Sequence, residues 1–175
     1  FELGTLADGS PWKEISSGEF SLVVDKTATD AETALPHKGD YFAWLGGESN
    51  ESSFLDSEAL DVPADAGWLT LSSFRKFQID SDVTDTTNDD FAWIALLDSE
   101  GDISDFFGYW DNTDPSETNG WVKYEQTIDA TSIQGQSLVL ELAAVDDMYS
   151  TSADITGSNY MFDDVSLKAY RCYSK

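Results

Sequence analysis

The sequence predicts an all-β protein, built as an antiparallel sandwich or barrel. Short segments in which apolar and polar residues alternate dominate the chain, and sustained helical periodicity is absent. Twelve glycines and four prolines are spread along the chain as turn punctuation. The 175 residues suit a single module, residues 1–175, with a full-sized core.

About nine strands are predicted, and turn signals separate them. The predicted strands are residues 20–25, 41–46, 53–62, 68–79, 91–98, 103–110, 121–128, 137–145 and 160–170. The segment DSEGD at 98–102 is predicted to form a hairpin turn in which Gly101 supplies a positive φ.

The alternation also predicts which side chains share a face. In SLVLELAAV, residues 137–145, the leucines point to one side and are assigned to the core, because Glu141 on the other side would need a partner if it were buried. In FAWIALLD, residues 91–98, both faces are apolar. The face that carries Phe91 and Trp93 therefore needs a cover, which is a loop, a second protein or a ligand.

The charge of the chain excludes several classes of partner. Thirty-four acidic residues against nine basic ones give a net charge of −25. Such a surface repels phosphate backbones and anionic lipids, so we expect neither nucleic-acid nor membrane binding. No apolar run approaches the roughly 18 residues of a membrane span. Cations, neutral ligands and basic partners stay possible, and a solvated acidic surface suited to saline surroundings is the simplest reading.

Two rare residues limit the catalytic chemistry. The single cysteine, Cys172, makes no internal disulfide, and the single histidine, His37, excludes a zinc site built from several histidines. We expect His37 to be a loop residue and the protein not to be an enzyme. The sequence opens abruptly with FELGTLADGSPW and shows no signal-peptide pattern, which favours a module excised from a longer secreted protein.

Three segments in order carry a resemblance to a known group of modules. They are AWLGG in 43–47, GW with IDATSIQGQSLVLEL in 120–142, and FDDVSL in 162–167. Together they resemble the jelly-roll β-sandwich modules appended to secreted bacterial peptidases and glycoside hydrolases, which include carbohydrate-binding and MAM-like modules. The resemblance spans about residues 1–169 and implies an antiparallel jelly-roll sandwich.

The resemblance also implies a structural calcium ion. The matching positions are Glu2, the backbone oxygen of Lys38, the side chain of Asp40, and Asp163. Hard oxygen ligands of this kind suit Ca²⁺. The alternative is that Asp163 and its neighbour are solvated or cap a loop. The acidic segment 80–90 does not fit an EF-hand, because it lacks glycine at the sixth position and glutamate at the twelfth.

Aromatic side chains on the strands are the candidate ligand-binding residues. By strand parity one face carries four candidate side chains, which are Trp68, Phe74, Lys76 and Gln78. Phe74 joins Trp93 on one exposed surface if their strands are neighbours. Aromatic faces stack on sugar rings, while Lys76, Gln78 and Glu141 would hydrogen-bond sugar hydroxyls. The alternative is that residues 106–120 cover Phe74 and Trp93 and extend the core.

The segment after the hairpin adds a second candidate platform. Tyr109 and Trp110 are placed in an Asp/Asn-rich loop and are expected to form a platform at the rim.

The leading hypothesis is a secreted, non-catalytic carbohydrate-binding module with a structural calcium ion. A neutral polysaccharide is the expected partner, together with other domains of a parent protein. One alternative is a protein-interaction or adhesion module. Another is a small β-sandwich lyase or hydrolase, which would require a cleft with a perturbed carboxylate.

Overall fold

The protein folds as a sandwich of two antiparallel β-sheets, which confirms the all-β antiparallel prediction. The computed structural model describes residues 1, 10–18, 20–27, 35–48, 50–79, 90–111, 113–114, 120–146 and 158–171, and these contain eleven strands and no helix. The strands are β1 (Trp12–Ser16), β2 (Val23–Asp25), β3 (Tyr41–Gly46), β4 (Ser52–Ser57), β5 (Leu60–Asp61), β6 (Ala66–Gln78), β7 (Phe91–Leu97), β8 (Ile103–Asp111), β9 (Val122–Asp129), β10 (Ser137–Val145) and β11 (Asn159–Arg171). The described part of the chain contains no helix that is long and apolar enough to cross a membrane.

Each sheet has a five-strand path. Sheet I has the order β1-β4-β10-β7-β8, and the short β5 also pairs with β10. Sheet II has the order β2-β3-β11-β6-β9. Apart from β7–β8 and β2–β3, the neighbours along these paths are not consecutive in the chain, so the topology brings together residues that no local sequence pattern connects.

The core lies between the sheets and follows the alternation of the strands. Leu138, Leu140 and Leu142 on β10 are 1%, 3% and 0% exposed, as the leucine face predicted. Phe162 on β11 faces them from sheet II and is fully buried. Because β10 and β11 bury one face in this way, their register is fixed, and the other face turns outward.

Three local features compare directly with the sequence. The predicted hairpin is confirmed: Gly101 has φ +88°, and Asp98 N–H donates to Asp102 O over 2.9 Å. The predicted strand 53–62 is two strands, because the chain leaves sheet I at residues 58–59 before Leu60 joins β10. Strand β1 was not predicted, since five residues give too little alternation.

Candidate functional site

The outer face of sheet I carries a row of apolar side chains that crosses all five strands of its path. Cross-strand pairing places these residues opposite one another, on β1, β4, β10, β7 and β8 in turn. We call them the aromatic row: Ile15, Phe54, Ala143, Trp93 and Tyr109. With strands about 4.8 Å apart, the row is about 20 Å long.

The rings of the aromatic row are held in place but remain open to solvent. Phe54 meets Trp93 edge to face at a centroid distance of 6.0 Å, above the fully buried Ala143 that separates their strands. Phe91, also on this face, stacks against Trp93 at 5.7 Å and Tyr109 at 6.0 Å. Trp93 is partly exposed and Tyr109 is 55% exposed. Because Ala143 is small, Phe54 and Trp93 can meet above it. The solvent-facing side of the rings stays accessible.

A second row of polar side chains runs beside the first. Lys13, Asp56 and Glu141 face one another on β1, β4 and β10. This polar row lies two residues, or about 7 Å, along the strands from the aromatic row. Trp93 connects the two rows, because its Nε1–H donates to Glu141 Oε1 over 2.7 Å. That bond fixes the plane of the indole.

The two carboxyl groups of the polar row interact. Burial raises the pKa of Glu141, and the nearby Asp56 charge adds to the rise, against the opposing hydrogen bond from Trp93. Burial also raises the pKa of Asp56, while the Lys13 charge lowers it. Asp56 and Glu141 are cross-strand partners, and each carboxyl group influences the pKa of the other. The pair therefore places two carboxyl groups at the edge of the aromatic row.

The structure separates Tyr109 from Trp110. Tyr109 lies on the outer face of β8, whereas Trp110 is 5% exposed and packs in the core against Phe77 and Tyr124. A Cβ on Gly108 would lie 2.4 Å from the Trp110 ring, so only glycine leaves room for this inward position. The expectation of a platform built from both residues is wrong, because adjacent residues of a strand point to opposite faces.

The structure also separates Phe74 from Trp93. Phe74 is on β6, an inner strand of sheet II, and Trp93 is on β7 in sheet I. The two side chains occupy opposite outer surfaces of the sandwich, so the expectation of one shared surface is wrong. The condition behind it, that β6 and β7 are neighbours, fails because β6 pairs with β9 and β11.

The chain itself covers Phe74. The His37 ring stacks on Phe74 at a centroid distance of 3.5 Å, and His37 Nδ1 lies 2.8 Å from Asp164 Oδ2. Trp121 completes the cover by donating from Nε1 to the Leu35 carbonyl over 2.8 Å. A cover was expected from residues 106–120, but the described residues that provide it for Phe74 lie in segment 35–40. Residues 106–111 belong to strand β8 of sheet I.

Beneath this cover lies a small apolar cluster on the outer face of sheet II. Phe42 and Met161 are fully buried there, although they point away from the main core. Lys76 and Gln78 follow Phe74 on the same face of β6 and pair in register with Met161 and Asn159. Their predicted role in ligand binding therefore concerns a different surface from that of Glu141 and Trp93.

The residues proposed for calcium meet one another only in part. Asp163 is 2% exposed, and its carboxylate accepts the backbone N–H of Lys38 over 3.1 Å and that of Asp164 over 2.6 Å. Burial raises the pKa of Asp163, against these hydrogen bonds. Asp40 forms an ion pair with Lys26. Glu2 lies outside the described residues.

The described members do not form a calcium site on their own. The contact between Lys38 and Asp163 is a hydrogen bond from the Lys38 N–H to the carboxylate. No group of three His, Cys, Asp or Glu side chains suited to a metal occurs within the described ranges. Calcium binding stays a prediction.

Several residues on the outer face of sheet I were not predicted to belong to the site. Phe54 and Asp56 lie within a predicted strand, and the alternation there with the buried Ser53 and Leu55 would have placed both outward. Lys13 and Ile15 belong to the unpredicted β1. Their contribution depends on the pairing of β1 with β4, which no local pattern reveals.

Solved structures share this fold at low sequence identity. The carbohydrate-binding module TmCBM61 in complex with β-1,4-galactotriose is 16% identical, with a TM-score of 0.52 over 92% of this chain and 90% of that one. The K1 cleaved adhesin domain of Lys-gingipain from Porphyromonas gingivalis W83 is 17% identical, with a TM-score of 0.53 over 97% and 95%. The Stig cyclase Fisc from Fischerella sp. TAU is 13% identical, with a TM-score of 0.56 over 93% and 86%.

No family model matches the sequence, and no curated protein does. At the identities found, the likeness to solved structures shows the fold alone. The chain thus has a sandwich fold that carbohydrate-binding modules, an adhesin domain and a cyclase also adopt.

Proposed function

We propose that this protein binds a carbohydrate chain on the outer face of sheet I without converting it. The observation that carries the proposal is the aromatic row with the polar row beside it. The C–H faces of sugar rings are apolar and stack on aromatic faces, which Phe54, Trp93 and Tyr109 supply along about 20 Å. The hydroxyls of the same sugars need hydrogen-bond partners, which Asp56 and Glu141 supply.

The rigidity of the site supports this proposal. Trp93 is fixed by its hydrogen bond to Glu141 and by its contacts with Phe54 and Phe91. A ring that is already held in its binding position loses little conformational freedom when a ligand arrives. The bed of rings is thus pre-organised for a flat, weakly hydrated ligand face.

The charge of the chain indicates which polysaccharides are suitable. A net charge of −25 disfavours the approach of anionic chains, so the ligand is a neutral polysaccharide. One structure of the same fold holds β-1,4-galactotriose, which makes galactan oligomers the first probe. Xylan and β-glucan oligomers, with polygalacturonan as the anionic comparison, complete the panel.

Isothermal titration with this panel tests the proposal. The wild type is expected to bind at least one neutral oligomer, and Trp93→Ala to weaken that binding about tenfold or more, equivalent to about 1.4 kcal/mol. Phe20→Ala removes an exposed ring from another part of the surface and should bind as the wild type does. Equal binding by wild type and Trp93→Ala, or no binding to any member of the panel, would refute the proposal.

The Asp56–Glu141 pair supports a second candidate, a polysaccharide hydrolase or lyase. A carboxyl with a raised pKa beside another carboxyl is an arrangement that general acid–base catalysis uses. Product analysis on the same panel separates the two functions. Oligosaccharide release by the wild type that Glu141→Gln abolishes would establish the enzyme, whereas binding without release supports the module.

We retain the calcium ion as part of the proposal, with Glu2, Lys38, Asp40 and Asp163 as the residues that the resemblance assigns to it. The close approach of Lys38 to Asp163 supports this set, although the described members alone do not complete it. Thermal melting in EDTA, followed by added Ca²⁺, tests the ion, because a ligand that binds only the folded state raises Tm. Identical melting temperatures in both solutions would remove calcium from the account.

A further inference from the structure

On the outer face of sheet II, a pair of exposed aromatic side chains lies away from the covered cluster. Trp68 on β6 and Tyr170 on β11 are direct cross-strand partners and are 49% and 51% exposed. Phe74 lies six residues from Trp68 on the same strand, so the pair is about 20 Å from Phe74. The cover of sheet II therefore does not explain this pair.

The two rings retain their polar groups for a ligand. Within the part of the chain that the structure describes, Trp68 Nε1 and the Tyr170 hydroxyl make no hydrogen bond, and the two rings do not stack on each other. In this they differ from Trp93, whose N–H is already bonded to Glu141. Each ring thus offers a face, and each edge offers a hydrogen-bonding group.

The surface around the pair is lined with hydroxyl and charged groups. Asp129 lies opposite Trp68 on β9. The next row of the same face consists of Lys168, Thr70 and Thr127, in which the two threonine hydroxyls lie 2.8 Å apart. Donors and acceptors of both charge signs beside two exposed rings match the mixed apolar and hydroxyl character of a sugar.

We propose that Trp68 and Tyr170 form a second carbohydrate-binding platform, so that the module binds two saccharide chains on opposite faces. This inference rests on the proposed function of sheet I and takes the same neutral class of ligand. Two rings contact fewer sugar units than the aromatic row does, so the second platform is the weaker site. The two platforms lie on either side of a sandwich whose sheets pack about 10 Å apart. One molecule therefore cross-links two polysaccharide chains.

The experiment combines titration and cross-linking on the full chain, with β-1,4-galactotriose and soluble β-1,4-galactan as probes and the rest of the neutral panel alongside. Wild type is expected to bind oligomer in a strong and a weak class and to make the polymer solution turbid. Trp68→Ala and Tyr170→Ala should lose the weak class and the turbidity but keep the strong class. Trp93→Ala should lose the strong class and the turbidity. Phe20→Ala is the matched control and should behave as wild type.

The outcomes separate this inference from the proposed function. If Trp68→Ala and Tyr170→Ala keep both classes and the turbidity, the second platform is refuted and sheet I stands. If the wild type shows a single class of binding sites and Trp68→Ala abolishes it, the second platform stands and the assignment of binding to sheet I fails. If the wild type binds nothing, both fail. If sedimentation shows a sugar-free dimer that Trp68→Ala abolishes, the pair binds a second copy of the chain and the inference is overturned.

Discussion

The two outer faces of the sandwich carry similar aromatic residues but differ in what lies above them. On sheet II, the His37 ring stacks on Phe74, and Phe42 is fully buried beneath the same cover. On sheet I, the rings around Trp93 stay open, and Tyr109 remains 55% exposed. An aromatic residue on the outer face of a strand therefore does not by itself indicate a binding site. What decides its role is whether the chain provides a cover for it.

The cover on sheet II has a recognisable construction. The segment 35–40 precedes β3 and is tied down by Trp121 through the Leu35 carbonyl and by Asp163 through the Lys38 N–H. Its histidine, the only one in the chain, is used for stacking. On sheet I, by contrast, Trp93 is hydrogen-bonded to the buried carboxyl of Glu141. The first arrangement extends the core, and the second leaves a surface equipped for a ligand.

The same substitution on each face gives the largest expected contrast. Phe42→Ala empties a fully buried site under the cover and should destabilise the fold by about 3–5 kcal/mol. Phe106→Ala removes a side chain on sheet I that is 45% exposed and should cost less than about 1 kcal/mol. Urea unfolding midpoints measure both. Similar losses in the two variants would mean that the two faces do not differ as described.

Opening the cover gives the next largest effect. His37→Ala removes the ring stacked on Phe74 and should destabilise the fold by about 1 kcal/mol, the scale of an aromatic pair. His37→Phe keeps the stacking partner while losing the contact with Asp164, so it should retain most of the stability. Thermal melting distinguishes them. If His37→Phe loses as much as His37→Ala, the Asp164 contact and not the stacking holds the cover.

The smallest expected effect is a pH dependence of folding stability that arises from Glu141 on the open face. The folded state raises the pKa of Glu141, so between its ordinary and its raised pKa the folded state holds more protons than the unfolded state. The associated stability is present at low pH and is lost as the pH rises through the raised pKa. The stability difference between wild type and Glu141→Gln should therefore shift against wild type as pH rises from about 4 to about 7.

Glu125 supplies a control of opposite sign. Its hydrogen bond and ion pair with Lys123 lower its pKa, so its contribution to stability is lost as pH falls through the lowered value. Relative to Glu125→Gln, the wild type should gain stability as pH rises. Urea unfolding across the same pH range measures both pairs. Parallel trends in the two would show that Glu141 is not perturbed by burial.

Most of the fold follows from strand alternation. The leucines of β10 identify the face of that strand that packs in the core. On β7 both faces are apolar, which indicates that its outer face contacts a cover or a ligand. Both strands belong to sheet I. The hairpin at Gly101 follows from local turn chemistry. The division of 53–62 and the existence of β1 do not follow, because short strands depend on partners that are distant in sequence.

The sequence predicts which residues of the candidate site point outward on their own strands. It does not predict which strands are neighbours. Trp93 and Glu141 are identifiable from parity on their own strands, and the inward position of Trp110 follows from its neighbour Tyr109 by the same rule. Which strand lies beside which is set by the packing of the whole sandwich. That order puts Phe74 on the far side and brings Phe54 to Trp93.

The most direct test of the central claim uses the indole N–H signals of the six tryptophans in a protein labelled at tryptophan nitrogen. Assigned by single Trp→Phe variants, these signals are followed during titration with β-1,4-galactotriose and the other neutral oligomers. The Trp93 signal is expected to move saturably, while those of Trp44, Trp110 and Trp121 stay in place. Movement of Trp44 or Trp121 with no change at Trp93 would contradict the assignment of carbohydrate binding to the open face of sheet I.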